Sequence, residues 1–257
     1  MIRELLPGSV QAEERFGDPA VPGMLYAEEE LLIAKALPSR RAEFTTVRAC
    51  AREALQRIGA PRTPLLRGDF GAPVWPTGVV GSMTHCVGYR AAAVARASDV
   101  TAVGIDAEPN LPLRDDGVLG LVALAQERVR LPTLAAQRPD VCWDRLVFSA
   151  KESVYKAWYP LARRFLDFHE AEILFDLVTG SFTARLLIDG PVVRGRRLKA
   201  LSGRWAVRDG LILTATLLET PASDRARTPA DEWTVTGRRC TRDEAASGVS
   251  DGPVPSL

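Results

Sequence analysis

The 257-residue sequence predicts an α+β protein built from two similar halves that meet near Asp106. Segments in which apolar residues recur at helical spacing come before segments of strand character, and the same order then repeats along the chain. Near the end, Asp209-Gly210 separates two strand-like runs, which is a strong signal for a hairpin. Apolar residues make up 46% of the chain, so a core can be buried without disulfides.

The first half, residues 1–105, is predicted to contain two helices, a loop and three strands. Helices are predicted from apolar spacing over 26–36 and 39–58, with Ser39 as N-cap of the second. The stretch 64–78 is rich in Gly and Pro and is predicted to be an ordered loop. Strands are predicted over 79–84, 89–96 and 101–106.

The second half, residues 106–220, repeats this order with more strands. Helices are predicted over 117–130 and 143–159, the latter stopped by Pro160. Strands are predicted over 172–178, 181–188, 204–208 and 211–218. From 221 to 257 the apolar density falls and Ser, Gly, Pro and mixed charge dominate, which predicts a disordered tail.

Charge and cysteine usage exclude several classes of protein. The chain has 33 basic and 32 acidic residues, a net charge of +1, so we expect no nucleic-acid partner and only a local cluster for any phosphate group. We find no apolar run long enough to cross a bilayer and no signal-peptide pattern. The four cysteines stand far apart, without a metal-type or redox-type pair. We therefore expect a cytoplasmic protein that does not bind membranes.

Two acidic residues lie at the end of the strand TAVGID, whose last residue is Asp106. Asp106 and Glu108 are two positions apart and so share one face of a strand, where two carboxylates could hold a hard cation such as Mg²⁺. A solvated strand end that happens to carry two acids is the alternative explanation.

The segment SAKESVYK, residues 149–156, contains a second candidate group. Glu152 and Lys156 are i and i+4 on the predicted helix, which suits a general base beside a proton donor but also a plain surface ion pair. Ser149 and Glu152 also fit the S-x-x-E capping box, which would give the glutamate a structural use.

A third group is basic. Arg40 and Arg48 lie about two helical turns apart on one face, and Arg41, Arg67 and His85 join them from nearby segments. Arginines beside a loop with free backbone N–H groups suit phosphate oxygens. His85 could equally be a hydrogen-bonded structural residue.

These motifs occur in an order that resembles the 4′-phosphopantetheinyl transferase superfamily. The matching runs are SRRAEF, LLRGDFGAPVWP, GSMTH, VGIDAEP and FSAKESVYKAW, and the resemblance covers roughly residues 1–220. It is strongest to the surfactin-type, enterobactin-synthetase-component-D-like branch of actinobacteria. It implies a pseudo-twofold monomer with antiparallel sheets and an active site between the halves. Such enzymes move phosphopantetheine from coenzyme A to a serine of an acyl, aryl or peptidyl carrier protein.

The resemblance also implies roles for individual residues. Asp106, Glu108 and Glu152 would ligate Mg²⁺, or alternatively Mn²⁺, together with the pyrophosphate of coenzyme A. Glu152 would accept the proton of the carrier serine, and Lys156 would stabilise the leaving adenosine 3′,5′-bisphosphate. The residues implied to contact coenzyme A are Arg40, Arg48, Arg67, Thr84, His85, Asp106, Lys151, Glu152 and Lys156.

Two other functions stay open from the sequence. One is a metal-dependent hydrolase of coenzyme A-like nucleotides, which would need no carrier protein. The other is a non-catalytic module that binds carrier proteins or coenzyme A. For a transferase, the carrier could belong to fatty-acid, polyketide, nonribosomal-peptide or siderophore assembly. A candidate docking surface lies among the arginines of 109–143, Arg114, Arg128, Arg130 and Arg138, which an ordinary amphipathic helix would also explain.

Overall fold

The computed structural model describes residues 1–19, 25–114 and 116–222, so the predicted tail lies outside the described residues from 223 onward. The helices are α1 (Ala27–Leu32), α2 (Pro38–Arg57), α3 (Asp116–Val122), α4 (Ala125–Gln137) and α5 (Trp143–Ala162). The strands are β1 (Val10–Phe16), β2 (Val79–Cys86), β3 (Tyr89–Arg96), β4 (Val100–Pro109), β5 (Ala171–Asp176), β6 (Ser181–Leu186), β7 (Val192–Val193), β8 (Arg196–Arg197), β9 (Ala200–Arg208) and β10 (Leu211–Glu219). Helices on antiparallel sheets confirm the predicted α+β class.

The first sheet has the order β1-β3-β2, and its central strand β3 is rich in alanine. Ala92 and Val94 pack against α2, whereas Ala91, Ala93 and Ala95 face the second sheet. Small side chains on both faces of one strand let two layers lie close to it.

The second sheet has the order β4-β10-β9-β6-β5, with α5 packed on one face. Leu146, Ala150, Val154 and Trp158 recur every four residues on α5 and form the stripe that this sheet buries. The hairpin between β9 and β10 turns at Asp209-Gly210, where both residues have positive φ (52° and 75°), as a type I′ turn requires. The predicted hairpin is therefore confirmed.

The two sheets face each other across a shared apolar core, and β2 lies beside β4. The hydroxyl of Ser82 accepts the backbone N–H of Ile105 at 3.0 Å, and the hydroxyl of Thr84 accepts that of Ala107 at 3.1 Å. Side chains of the first half thus satisfy an edge of the second sheet that would otherwise be unpaired. The predicted domain boundary between residues 105 and 106 falls within β4, whose whole length pairs with β10.

Several predicted element ends were wrong. Leu37 rather than Ser39 is the N-cap of α2, because Pro38 occupies the first helical position, where a missing N–H costs nothing. Helix α5 continues through Pro160 to Ala162, because a proline in the last turn removes only one helical hydrogen bond. Since α5 begins at Trp143, Ser149 lies in its interior and the capping-box explanation of Glu152 is wrong.

Other differences concern whole elements. The segment 117–130 forms two helices, α3 and α4, instead of one, and α4 runs on to Gln137. Helix α1 ends at Leu32, short of the predicted residue 36. Strand β1 and the short hairpin of β7 and β8 were not predicted. No helix within the described residues is long and apolar enough to cross a membrane.

Candidate functional site

Asp106 and Glu108 lie on the face of β4 that turns toward α5. Alternation along the strand sends Ile105 and Ala107 into the core between the sheets and the two carboxylates to the opposite side. Asp106 is buried, and Glu108 is mostly buried. The solvated strand end considered from the sequence is therefore not what the structure shows.

Gly104 allows α5 to approach β4 at this point. A Cβ at residue 104 would collide with the carbonyl oxygen of Ser153 and lie 2.7 Å from the amide nitrogen of Ala157. Only glycine permits so close an approach of helix and strand backbones. The sequence analysis did not single out this residue, although a glycine within a strand is a signal of close backbone approach.

Hydroxyl pairs fix α5 along the neighbouring strand β10. Ser149 and Thr214 are joined by a 2.9 Å hydrogen bond between their hydroxyls, and so are Ser153 and Thr216. These pairs are fully buried, so they set the rotation and height of α5. That rotation directs Glu152 and Lys156 toward the end of β4.

Lys156 forms a buried ion pair with Asp106. Its ammonium donates to Asp106 Oδ1 at 2.8 Å and to the carbonyl of Ile105 at 3.2 Å. Burial acts to lower the pKa of Lys156, but the charges of Asp106 and Glu152 outweigh it and raise the pKa above its ordinary value. Lys156 is therefore a cation inside the protein, and the surface ion pair considered from the sequence is wrong.

Glu108 and Glu152 share an unusual electrostatic environment with Asp106. Burial, reinforced by the neighbouring carboxylates, raises the pKa of Glu152 to about 7, although Lys156 acts against this. Burial and the charge of Asp106 likewise raise the pKa of Glu108 to about 7. The negative charges of the three neighbouring carboxylates repel one another, so a positive charge nearby would stabilise their ionised forms.

The carboxylate group offers the oxygen donors that a hard cation prefers. Asp106 Oδ2 is buried, and no group within the described residues donates a hydrogen bond to it. Glu108 accepts a hydrogen bond of 3.0 Å from Arg145, a residue that the sequence analysis did not single out. No set of three or more His, Cys, Asp or Glu side chains in the described ranges is arranged to hold a metal ion. The three carboxylates are therefore not a preformed metal site: only their oxygen-donor chemistry and the orphaned Asp106 oxygen suit a cation, and Lys156 and Arg145 supply the positive charge beside them.

A cavity of about 760 Å³ lies between α2, the loop after residue 66, β2 and the C-terminal part of α5. Its charged lining includes the cations Arg40, Arg48, Arg67, Lys156 and Arg163 and the acid Asp69, and His85 lies beside them. Its aromatic wall includes Phe44, Phe70, Tyr155 and Tyr159. The predicted basic group from the first half and the lysine from the second therefore line one space.

Arg48 is the most deeply buried of the cavity arginines. Its guanidinium lies 3.3 Å from the centre of the Phe44 ring and donates twice to the carbonyl of Leu65, at 3.0 and 3.2 Å. Burial lowers its pKa to about 9, and Arg67 is one of the neighbouring cations that add to this. An anion in the cavity would stabilise the charged guanidinium of Arg48 and so offset both the cost of burial and the repulsion from neighbouring cations.

His85 and Arg40 form a second contact at the cavity wall. Arg40 Nη1 lies within hydrogen-bond distance of His85 Nε2, and Glu43 accepts from Arg40 at 3.3 Å. Burial, and then the charge of Arg40, lowers the pKa of His85 to about 4. His85 is therefore neutral at pH 7 and can accept from Arg40. Burial and Arg40 also lower the pKa of Arg67.

Six of the predicted residues are not among those that line the cavity: the carboxylates Asp106, Glu108 and Glu152, and also Thr84, Arg41 and Lys151. Thr84 is buried and donates to Asp106 Oδ1 at 3.3 Å, so it belongs to the carboxylate group. Arg41 turns away and bonds the carbonyl of Ile33. Lys151 is buried elsewhere, where its ammonium donates to Glu127 at 2.7 Å and to the carbonyl of Phe168 at 2.6 Å.

Comparisons with known proteins match most of this chain to one family. The N-terminal domain of 4′-phosphopantetheinyl transferases matches residues 28–95, and the 4′-phosphopantetheinyl transferase superfamily matches residues 102–207. The 4′-phosphopantetheinyl transferase Svp of Streptomyces mobaraensis is 58% identical over 224 residues, which cover 86% of this chain and 91% of Svp. PptT of Mycobacterium tuberculosis is 46% identical over 228 residues, covering 85% and 98%. Enterobactin synthase component D of Salmonella typhi is 33% identical over 119 residues, covering 46% and 48%.

Proposed function

The chain belongs to the 4′-phosphopantetheinyl transferase superfamily and transfers 4′-phosphopantetheine to carrier proteins, and we propose which of its side chains perform this transfer. The donor is coenzyme A, the substrate of this family. The acceptor in the proposal is a serine hydroxyl of an acyl or peptidyl carrier protein. The narrower role of a holo-acyl-carrier-protein synthase is part of the same proposal.

The reaction exchanges one phosphorus–oxygen bond for another. The serine oxygen bonds to the phosphorus that carries pantetheine, the bond from that phosphorus to the adenosine 3′,5′-bisphosphate breaks, and the serine proton must be removed. Positioning and charge neutralisation supply most of the catalysis in such transfers. The protein must therefore provide cations for the phosphates and a base for one proton.

One observation carries the proposal: Lys156 both lines the cation-rich cavity and bonds Asp106 of the carboxylate group. A pyrophosphate whose nucleotide end lies in the cavity would then reach the carboxylates past Lys156. In this role Lys156 stabilises the charge that develops on the leaving bisphosphate. Arg40, Arg48, Arg67 and His85 would bind the other phosphates and the nucleotide.

Glu152 is the proposed base. A serine hydroxyl gives up its proton only to a well-placed acceptor, and Glu152 is a buried carboxylate one helical turn before Lys156 on α5. Thr84 would keep Asp106 in place, since it donates to Asp106 and accepts from the backbone of β4. Lys151 has no part in this proposal, because its ammonium is used by Glu127.

Mg²⁺ is the proposed metal, with Mn²⁺ as the alternative, and Asp106, Glu108 and Glu152 would hold it. When bound, it would supply positive charge to the pyrophosphate oxygens and the carboxylates together. Asp106 Oδ2, which is buried and accepts no hydrogen bond from the part of the chain that the structure describes, supports this assignment.

Further parts of the proposal concern setting and partners. We expect a monomer, because both halves of the proposed site come from one chain, and action in the cytoplasm, where coenzyme A is made. The carriers proposed are those of polyketide, nonribosomal-peptide or siderophore assembly. The relatives are named as transferases, so they do not support a hydrolase or a non-catalytic binding module.

The test is Glu152→Gln, assayed with coenzyme A, Mg²⁺ and a panel of apo-carrier proteins by intact mass. Loss of the base should slow transfer by about a thousandfold, while the far-UV spectrum stays native. Glu28→Gln, at an exposed position of α1, is the control and should transfer normally. Near-normal turnover by Glu152→Gln would contradict the assignment. Release of adenosine 3′,5′-bisphosphate without a carrier would favour the hydrolase instead.

A further inference from the structure

Glu29 is a buried carboxylate that no motif pointed to. It lies in α1 and is 0% exposed, and arginine side chains and backbone N–H groups surround its carboxylate. We propose that Glu29 is a positioning residue for coenzyme A binding, which holds Arg48 and the start of the Arg67 loop against the cavity. This inference rests on the proposed role of the cavity arginines in phosphate binding.

The contacts of Glu29 tie three segments together. Arg52 of α2 donates to both carboxylate oxygens, at 2.9 and 3.0 Å. The backbone N–H of Leu65 donates to Oε1 at 2.8 Å, and that of Tyr26 donates to Oε2 at 3.0 Å. The carboxylate thereby joins α1, α2 and the segment that leads into the loop. A buried charge with this many donors is well satisfied and sharply oriented.

Glu29 acts on Arg48 through charge. Arg48 Nε lies 3.6 Å from Glu29 Oε1, and among the neighbours of Arg48 this carboxylate opposes the effect of burial on its pKa. Arg40, Arg52 and Arg67 all act in the other direction. Without Glu29, the buried guanidinium of Arg48 would lie among like charges, and within the described ranges the Phe44 ring and the carbonyl of Leu65 would hold it.

Glu29 acts on Arg67 through the backbone. It accepts the N–H of Leu65, whose carbonyl accepts from Arg48. Two residues later Arg67 enters the cavity wall, at the foot of a loop closed by the N–H of Val74 bonding the carbonyl of Leu66 at 2.9 Å. By holding the backbone of Leu65 in place, Glu29 therefore fixes the position from which the Arg67 side chain extends toward the phosphates.

The second half contains a matched residue that lacks this link. Like Glu29, Glu127 is almost fully buried and is the third residue of its helix. Its carboxylate accepts hydrogen bonds from the backbone N–H groups of Leu124, the N-cap, and of Ile173, and from a cation on the long helix α5. That cation is Lys151, which does not line the cavity. Glu127→Gln should therefore lower stability without changing affinity for coenzyme A.

A competing effect gives an opposite expectation. Glu29 is itself negative, so if it acted only through its field, removing its charge would tighten phosphate binding. Positioning predicts weaker binding. Glu29→Asp separates the two, because it keeps the charge but withdraws the carboxylate from Arg48 and Leu65.

The experiment uses the full chain and the variants Glu29→Gln, Glu29→Asp, Glu127→Gln and Arg48→Ala. We measure kcat and KM for coenzyme A by carrier intact mass, the Kd of adenosine 3′,5′-bisphosphate by calorimetry, and thermal unfolding. We expect Glu29→Gln and Glu29→Asp to raise KM and Kd by about tenfold with kcat changed less than threefold, because only ligand positioning is lost. In the double variant Glu29→Gln with Arg48→Ala, the part of the Glu29→Gln effect that acts through Arg48 should disappear, and only the part that acts through Leu65 and Arg67 should remain.

The outcomes are distinct. Unchanged or tighter bisphosphate binding by Glu29→Gln and Glu29→Asp, while Arg48→Ala binds weakly, would overturn the role of Glu29 alone. Normal binding by Arg48→Ala would overturn the proposed phosphate site itself. An equal rise of KM in Glu127→Gln would show that loss of any buried carboxylate has this effect and would overturn the inference. If Glu29→Gln does not fold, Glu29→Asp decides by the same criteria.

Discussion

In the first half of the molecule the 20-residue helix α2 carries Arg40 and Arg48 to the cavity, whereas in the second half the equally long α5 carries Glu152 and Lys156 to β4. Burial shifts the pKa values of the charged side chains on the two helices in opposite directions. It lowers the pKa of Arg48 to about 9 and raises that of Glu152 to about 7. Each half thus gathers charges that disfavour one another and that a ligand of opposite charge would stabilise. The difference teaches that the two halves would suit opposite ends of one ligand: in the proposed function, phosphate groups beside α2 and a metal ion beside the carboxylates.

The halves also differ in how their buried glutamates are used. Glu29 pairs with Arg52 and still lies near Arg48, so α2 keeps a cation for the cavity. Glu127 and the carbonyl of Phe168 hold Lys151 away from the cavity, and the lysine of α5 that lines the cavity is Lys156. The same local arrangement serves ligand binding in one half and stability in the other.

The contrast between the two halves is tested most strongly at Lys156, where the cations of the cavity meet the carboxylate group. Lys156→Ala should slow transfer by about a thousandfold, because the leaving bisphosphate loses its cation and the buried Asp106 loses its cationic partner. Steady-state transfer monitored by intact mass checks this. Lys35→Ala, at an exposed position, is the control and should be active. A Lys156→Ala enzyme within tenfold of wild type would remove the lysine from the proposed chemistry.

A substitution at Gly104 tests the packing that distinguishes the second half, because this residue sets how close α5 comes to β4. Gly104→Ala should lower the free energy of unfolding by about 3 kcal/mol, since the added methyl meets helix backbone that cannot move aside freely. Urea unfolding measures this. Gly8→Ala is the matched control, because a Cβ there meets no atom within 4 Å. Equal stability of the two variants would contradict the close approach.

The raised pKa of Glu152 predicts a pH-dependent stability in metal-free protein. The ordinary pKa is 4.5 and the folded value is about 7, so the native state binds the proton more tightly than the unfolded state does. Stability from this group is complete below pH 4.5 and is lost as the pH rises through 7. Glu152→Gln, which cannot ionise, should gain on wild type by about 2 kcal/mol between pH 5 and pH 8. Urea unfolding at both pH values, with chelator present, tests this; a constant difference would contradict it.

The smallest expected effect concerns carrier docking on the second half. The predicted arginine surface is reduced in the structure, because Arg130 pairs with Glu172 and Arg138 with Asp140. Arg128 remains exposed beside Val129, which is 78% exposed. Arg128→Glu should raise the KM for an acidic carrier by about threefold and leave that for coenzyme A unchanged. Arg196→Glu on β8 is the control, and equal values for both variants would exclude this surface.

Much of the fold followed from local patterns. The bounds of β3 and the turn at Asp209-Gly210 were predicted as observed, because strand alternation and positive-φ turn residues are readable from neighbouring positions. Strand β1 was missed, because its pattern is weak and it is stabilised by pairing with β3, far along the chain. Likewise α5 passes Pro160, since tertiary burial outweighs one lost hydrogen bond.

By itself the sequence determined which residues share a face: Asp106 with Glu108 on a strand, and Glu152 with Lys156 on a helix, since these relations follow from periods of 2 and 3.6 residues. Only the tertiary structure decided what each face meets. Lys151 is taken by Glu127, 24 positions away, and Glu29 holds the N–H of Leu65, 36 positions away. Backbone geometry fixes a side chain's direction within its element, but its partner depends on how elements distant in sequence pack together.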